Sequence, residues 1–138
     1  MALEFTLIHE LEPPIPFTCV DGTGINKGAL LKLTDPMTVI INSGSADSIA
    51  GVAAEEKIAS DGKTKIAVYL RGVFKAQSGA SITVGANIMA EGTTANEIIT
   101  ATAAADAASI FGIALETTTA QQTGLILVNV GVGGSPET

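Results

Sequence analysis

The sequence predicts a mainly β fold: one small domain of short strands and tight turns, preceded by an extended N-terminal arm. Of 138 residues, 46% are apolar and only 15% charged, the balance of a chain that folds. Fifteen Gly accompany abundant Thr, Ser, Val and Ile, with no Trp and one Tyr, a mixture that suits strands joined by turns. The apolar residues also fall in short runs, each ended by Gly, Asp or Pro.

Residues 1–16 read as the arm. Acids alternate with Leu3, Phe5, Leu7, Ile8 and Leu11, and the segment ends in Pro13-Pro14-Ile15-Pro16. Prolines so closely spaced forbid a helix and favour an extended path. Fully extended, the segment spans roughly 50 Å at about 3.3 Å per residue, enough to reach a neighbouring molecule. Three readings stand: an arm that binds a partner, an edge strand of the domain itself, or a frayed terminus. The apolar residues favour the first, with Leu3, Phe5, Leu7, Ile8, Pro13, Pro14 and Pro16 as its binding residues.

Strand candidates follow in residues 17–132. Ile15–Val20 precedes the Asp21-Gly22-Thr23-Gly24 turn, and Thr34-Asp35-Pro36 joins Ala29–Leu33 to Met37–Ile41 as a hairpin. Asp61-Gly62 is a turn signal between a segment near Ala54–Ala59 and the strand Thr64–Leu70. In that strand Thr64, Ile66, Val68 and Leu70 share one face, and Lys65, Ala67, Tyr69 and Arg71 the other. Ser81–Val84, Ala86–Ala90 and Glu97–Thr100 are weaker candidates; Ile110–Leu115 and Leu125–Val130 are stronger. Ala101–Ala108 could form a helical turn or two, and residues 133–138 read as a C-terminal tail.

The chain resembles itself. Ser48–Glu55 matches Ser109–Glu116, Gly28-Ala29 and Leu31 match Gly85-Ala86 and Ile88, and Ile66, Val68 and Leu70 fall on Ile126, Val128 and Val130. Residues 28–74 and 85–132 would then be two copies of one β unit sharing a core. Chance similarity among Gly/Ala/Val-rich strands is the alternative.

Net charge is −7, unevenly placed. Residues 1–26 hold four acids and no base; residues 27–75 hold all seven bases and sum to +2; residues 76–138 sum to −5. No basic patch is large enough to bind nucleic acid through its phosphates. No apolar run approaches the roughly 20 residues of a membrane helix. Met1–Phe17 lacks Lys and Arg, so neither a signal nor a transit peptide is expected. The lone Cys19 fits a reducing compartment and reads as a small buried hydrophobe.

Candidate chemistry is thin. Gly22–Gly28 departs from the phosphate loop, because Gly28 is followed by Ala29 and no Lys-Ser/Thr pair closes it. His9 is the one histidine, too isolated for a zinc site or a catalytic triad. Glu55, Glu56 and Asp61 read as a solvated rim, and Arg71 as an exposed strand-end residue or an interface partner. No enzyme activity, cofactor or metal is expected.

Thr18–Pro36, with Asp21-Gly22-Thr23-Gly24-Ile25, Lys27-Gly28 and Leu30–Pro36, resembles the opening of the phage capsid cement protein family. Ile49–Phe74, above all Val68-Tyr69-Leu70-Arg71-Gly72-Val73-Phe74, is similar to that family and to the strand-and-glycine pattern of the lambdoid head-decoration protein. The resemblance implies a small β-barrel of the β-tulip kind and a homotrimer on the outer capsid surface at three-fold positions. It further implies that the arm reaches onto the major capsid protein. The function expected is head stabilisation against internal pressure; the alternative is a tail or fibre module that binds a receptor or glycan. If the trimer closes as a ring, the basic stretch with Lys65, Arg71 and Lys75 would face the acidic half of a neighbour.

Overall fold

The computed structural model describes residues 3–44, 47–102 and 109–130. Eleven strands make up the fold: β1 (Thr6–Glu10), β2 (Ile15–Thr18), β3 (Leu30–Asp35), β4 (Thr38–Ile41), β5 (Ile49–Ala53), β6 (Lys65–Tyr69), β7 (Arg71–Ser78), β8 (Asn87–Ala90), β9 (Glu97–Thr100), β10 (Gly112–Ala114) and β11 (Thr123–Asn129). Among the described residues there is no α-helix. The helical turn expected at Ala101–Ala108 lies largely outside the described residues, and the tail 133–138 wholly so.

The strands form two small closed barrels. β2-β4-β3-β5-β6 closes one, its ring completed by the parallel β2–β4 pairing. The second runs β7-β11-β10-β8-β9 and closes through parallel β7–β9. The barrels are copies: β2 to β6 correspond in order and pairing to β7 to β11. Closure removes most open edges, which otherwise invite pairing with other chains.

The backbone repeats in detail. Positive φ occurs at Met37 (51°) and Asn96 (68°) before the equivalent strands β4 and β9, at Ser60 (59°) and Gln121 (67°), and at Gly28 (90°) and Gly85 (87°). The bridge between Ile25 and Lys57 returns as Ile82 with Thr118. Gly51 and Gly112 serve one purpose: a methyl there would strike the carbonyl of Tyr69 or of Leu127 on the adjoining strand. The register corrects the sequence match at one place. Val52 faces Tyr69 as Ile113 faces Leu127, so Val68 corresponds to Ile126 and Leu70 to Val128. The sequence match places Val68 on Val128, two residues away; the structure absorbs the difference in the preceding turn.

Each barrel has its own core. Phe17, Cys19, Leu31, Val39, Ile66 and Val68 fill the first. Ile82, Ile88, Ile98, Phe111, Ile126 and Val128 fill the second, and that cluster also takes in Leu30, Ile49 and Val52 from the outside of the first barrel. One apolar junction therefore joins the two. Each fully buried Val, Leu, Ile or Phe there contributes about 1.5–3 kcal/mol. A polar bond fixes its alignment: the Leu30 amide donates to Asn96 Oδ1 at 2.9 Å.

Of the readings of residues 1–16, the described part takes the edge strand. β1 pairs antiparallel with β7, from Thr6 opposite Lys75 to Glu10 opposite Gly72, with a bulge between Leu7 and His9. The Phe5 amide donates to the Gly28 carbonyl at 2.8 Å, and its ring lies among Phe74 and Phe111 at centroid distances of 6.2 and 6.3 Å. Phe5 is thus a core residue of the junction. β1 has no counterpart in the first barrel; it is an addition outside the repeat.

Candidate functional site

The most tightly built polar feature is Lys57. No local sequence signal marks it, since only the acids of its loop stand out. Its side chain is only 1% exposed. Four oxygens surround the three donors of the ammonium within hydrogen-bond distance: Asp21 Oδ1 (2.9 Å), the Asp21 carbonyl (2.9 Å), the Ile58 carbonyl (2.7 Å) and Asp61 Oδ1 (2.8 Å). Asp21 Oδ1 also accepts from the Gly62 amide at 2.8 Å. Two turns far apart in sequence are thereby pinned at one end of the first barrel. Asp61 is thus an ion-pair partner, more than the solvated rim expected of it.

The electrostatics agree with that geometry. Burial works against the Lys57 ammonium, but hydrogen bonds to Asp61 and Asp21 outweigh it and hold its pKa above the ordinary value. The bond from Lys57, helped by the Lys63 amide, brings the Asp61 carboxyl down to about 2. A proton therefore stays on nitrogen and off oxygen, so the group is an ionic pin and offers no acid or base near neutrality. In the second barrel, Thr118 occupies the Lys57 position and its hydroxyl shares a 2.5 Å hydrogen bond with that of Ser78.

Cys19 sits where Ser78 sits in the second barrel, 3% exposed. Burial pushes its thiol pKa up, and the Lys57 charge offsets that only in part. It is a packing residue, as expected from its apolar run.

His9 lies exposed on β1 with no second imidazole to join it. Among the described residues, no three His, Cys, Asp or Glu side chains are placed to hold a metal. A shallow cleft of about 210 Å³ near the start of β1, lined by Leu3, Glu4, Thr6, Lys75, Gln77 and Thr123, carries no nucleophile paired with a base. No described helix is long and apolar enough to cross a membrane.

What the surface does offer is aliphatic side chains. Ile8, Leu11 and Ile15 are exposed along the N-terminal segment, and Val20, Leu33 and Met37 around one end of the first barrel. Leu3 and Leu7 are half-buried, and Pro13 and Pro16 exposed. The basic residues separate. Lys65 is on β6 and donates to Thr18 Oγ1 at 3.1 Å, whereas Arg71 and Lys75 share the outer face of β7. Arg71 Nε donates to Asn129 Oδ1 at 3.1 Å. On that face Val73 lies opposite Leu127, which lies opposite Ile113, an apolar row flanked by the two cations.

Two closed five-stranded barrels joined at one apolar junction place the chain among small all-β proteins built from a repeated barrel unit. The comparisons agree. A family of phage cement proteins matches residues 9–130, and the chain belongs to it. It is a capsid decoration protein of a bacteriophage head. No curated protein matches the chain. Among solved structures it is similar to "head fiber gp8.5 N base in bacteriophage phi29", with 16% identity, a TM-score of 0.55, and coverage of 83% of this chain and 93% of that one. At that identity the likeness concerns the fold.

Proposed function

We propose that this protein binds the outer surface of the phage head as a homotrimer at three-fold positions, gripping the major capsid protein and stiffening the shell. It acts by binding and without catalysis. The observation that carries the reading is the cement-family match across both barrels. Many identical copies, each bridging several capsid subunits, multiply modest contacts around a pressurised shell.

The N-terminal segment supplies the capsid contact. Among the described residues β1 pairs only with β7, so its outer edge can accept a capsid strand. Main-chain bonds would carry affinity there, with Ile8, Leu11, Pro13, Pro14 and Pro16 as side-chain contacts. Leu3 and Leu7 back the strand. Lys65, Arg71 and Lys75 act at the contacts between subunits, where charge sets which faces meet.

Imaging of DNA-filled heads with and without the protein tests the reading. Knobs at three-fold positions support it; density at the tail tip instead would support a receptor- or glycan-binding tail module. Ile8→Asp with Leu11→Asp should abolish head binding while the far-ultraviolet spectrum stays that of the parent.

A further inference from the structure

The junction between the two barrels is one-sided. The first barrel receives, with Leu30, Val52 and Tyr69; the second inserts, with Phe74 and Asn96. Tyr69 meets Phe74 edge-on at 5.8 Å. Because the barrels are copies, each of these residues has a counterpart, and among the described residues the counterparts meet no such partner. Ile15 stands where Phe74 stands, since Ile15 faces Val68 as Phe74 faces Ile126. Met37 stands where Asn96 stands, one residue before the equivalent strands. They are 37% and 53% exposed. On the other side, Asn87, Ile113 and Leu127 stand where Leu30, Val52 and Tyr69 stand. Asn87 is exposed, and Ile113 and Leu127 are half-buried.

We infer that copies of this chain associate head to tail by repeating the internal junction: the Ile15–Met37 side of one first barrel seats on the Asn87–Ile113–Leu127 face of a neighbour's second barrel. This rests on the self-association proposed above and gives it an interface. A contact between two different surfaces is heterologous, the kind that closes rings. Arg71 and Lys75 flank the receiving face; the inserting side carries Glu12 and Asp35 near Ile15 and Met37 in sequence, and also Lys65, which reaches Thr18 beside Met37. A second copy of this chain is the occupant, because the chain already builds this junction once from residues at the equivalent positions.

The test uses sedimentation of the full chain and of two variants, Met37→Asp on the inserting side and Leu127→Asp on the receiving side. Each variant alone should be monomeric with the parent's circular dichroism. Mixed, they should form a one-to-one pair, because each retains the surface the other lacks. As a check independent of charge and folding, Met37→Cys with Asn87→Cys, the counterparts of Asn96 and Leu30, in a Cys19→Val chain should give covalent oligomers on oxidation. A monomeric parent overturns self-association itself. A parent oligomer that both variants retain, or that the cysteine pair fails to trap, overturns this interface alone. Monomeric variants that do not pair on mixing overturn the head-to-tail arrangement.

Discussion

Asn96 in the second barrel accepts the buried amide of Leu30 in the first, across 2.9 Å, and does so from a left-handed backbone with φ of 68°. Both properties suit asparagine, which tolerates that conformation and brings an acceptor. Asn96→Gly keeps the backbone and removes the acceptor. Leaving the Leu30 amide unpaired should cost about 1–3 kcal/mol. Asn96→Ala adds roughly 1–2 kcal/mol of backbone strain. Denaturant unfolding of the two variants should rank them in that order, and equal stabilities would show that the acceptor alone matters.

Phe5 makes the N-terminal segment part of the fold. Its ring touches Phe74 and Phe111 at the barrel junction, and the carbonyl of Phe5 crowds Gly28, where no side chain fits. Phe5→Ala should destabilise by about 3–5 kcal/mol. Removal of residues 2–14 should lower the unfolding midpoint as well, in addition to any loss of head binding. A truncated chain as stable as the parent would show that the Phe5 pocket can collapse without cost.

The parts of this architecture legible in sequence are those with an apolar alternation or a turn signal of their own. The sequence predicts β9 at Glu97–Thr100 and the hairpin at Thr34-Asp35-Pro36, and Ile66 and Val68 point inward as their period demands. β7, the longest strand, carries no such alternation, because its inward side is Gly72, Phe74, Ala76 and Ser78, with a single bulky apolar residue. The segment near Ala54–Ala59 proved to be a loop held by the bridge of Lys57 to Ile25, and the strand of that region is Ile49–Ala53. The Lys57 pin joins residues 36 apart, a contact that no local pattern reports. The surface residues of the inferred self-contact became visible only once equivalent positions in the two barrels could be compared.

Cys19 should behave as a small apolar residue. Its thiol is buried and its pKa raised, so little thiolate is available at neutral pH. Cys19→Val or Cys19→Ala should cost at most about 1–2 kcal/mol and leave head binding within a few-fold. Native protein should resist a thiol reagent until unfolded. Fast labelling of the folded chain would contradict the assignment.

The Lys57 pin predicts the shape of the stability curve against pH. Asp61 has a folded pKa of about 2, below the roughly 3.9 of an unfolded aspartate. Its contribution is present above the unfolded value and is lost as pH falls from about 4 towards 2. Lys57 has a folded pKa raised above its unfolded value, so its contribution is complete below about 10.4 and is lost as pH rises beyond that, through the folded pKa. Other carboxylates add to the acid limb: Glu91, held by the Thr94 and Thr93 amides, is also lowered. Lys57→Met isolates the pin from them. It should lower stability across the neutral range, because Asp21 and Asp61 then face each other without a cation, and it should flatten the melting profile between pH 4 and 2 relative to the parent. The alkaline decline above about pH 10 should shrink too, since the ammonium whose loss drives it is gone. Melting temperatures measured from pH 2 to 11 on both proteins decide the matter: parallel curves offset by a constant would mean that Asp61 draws its low pKa from the Lys63 amide and not from Lys57.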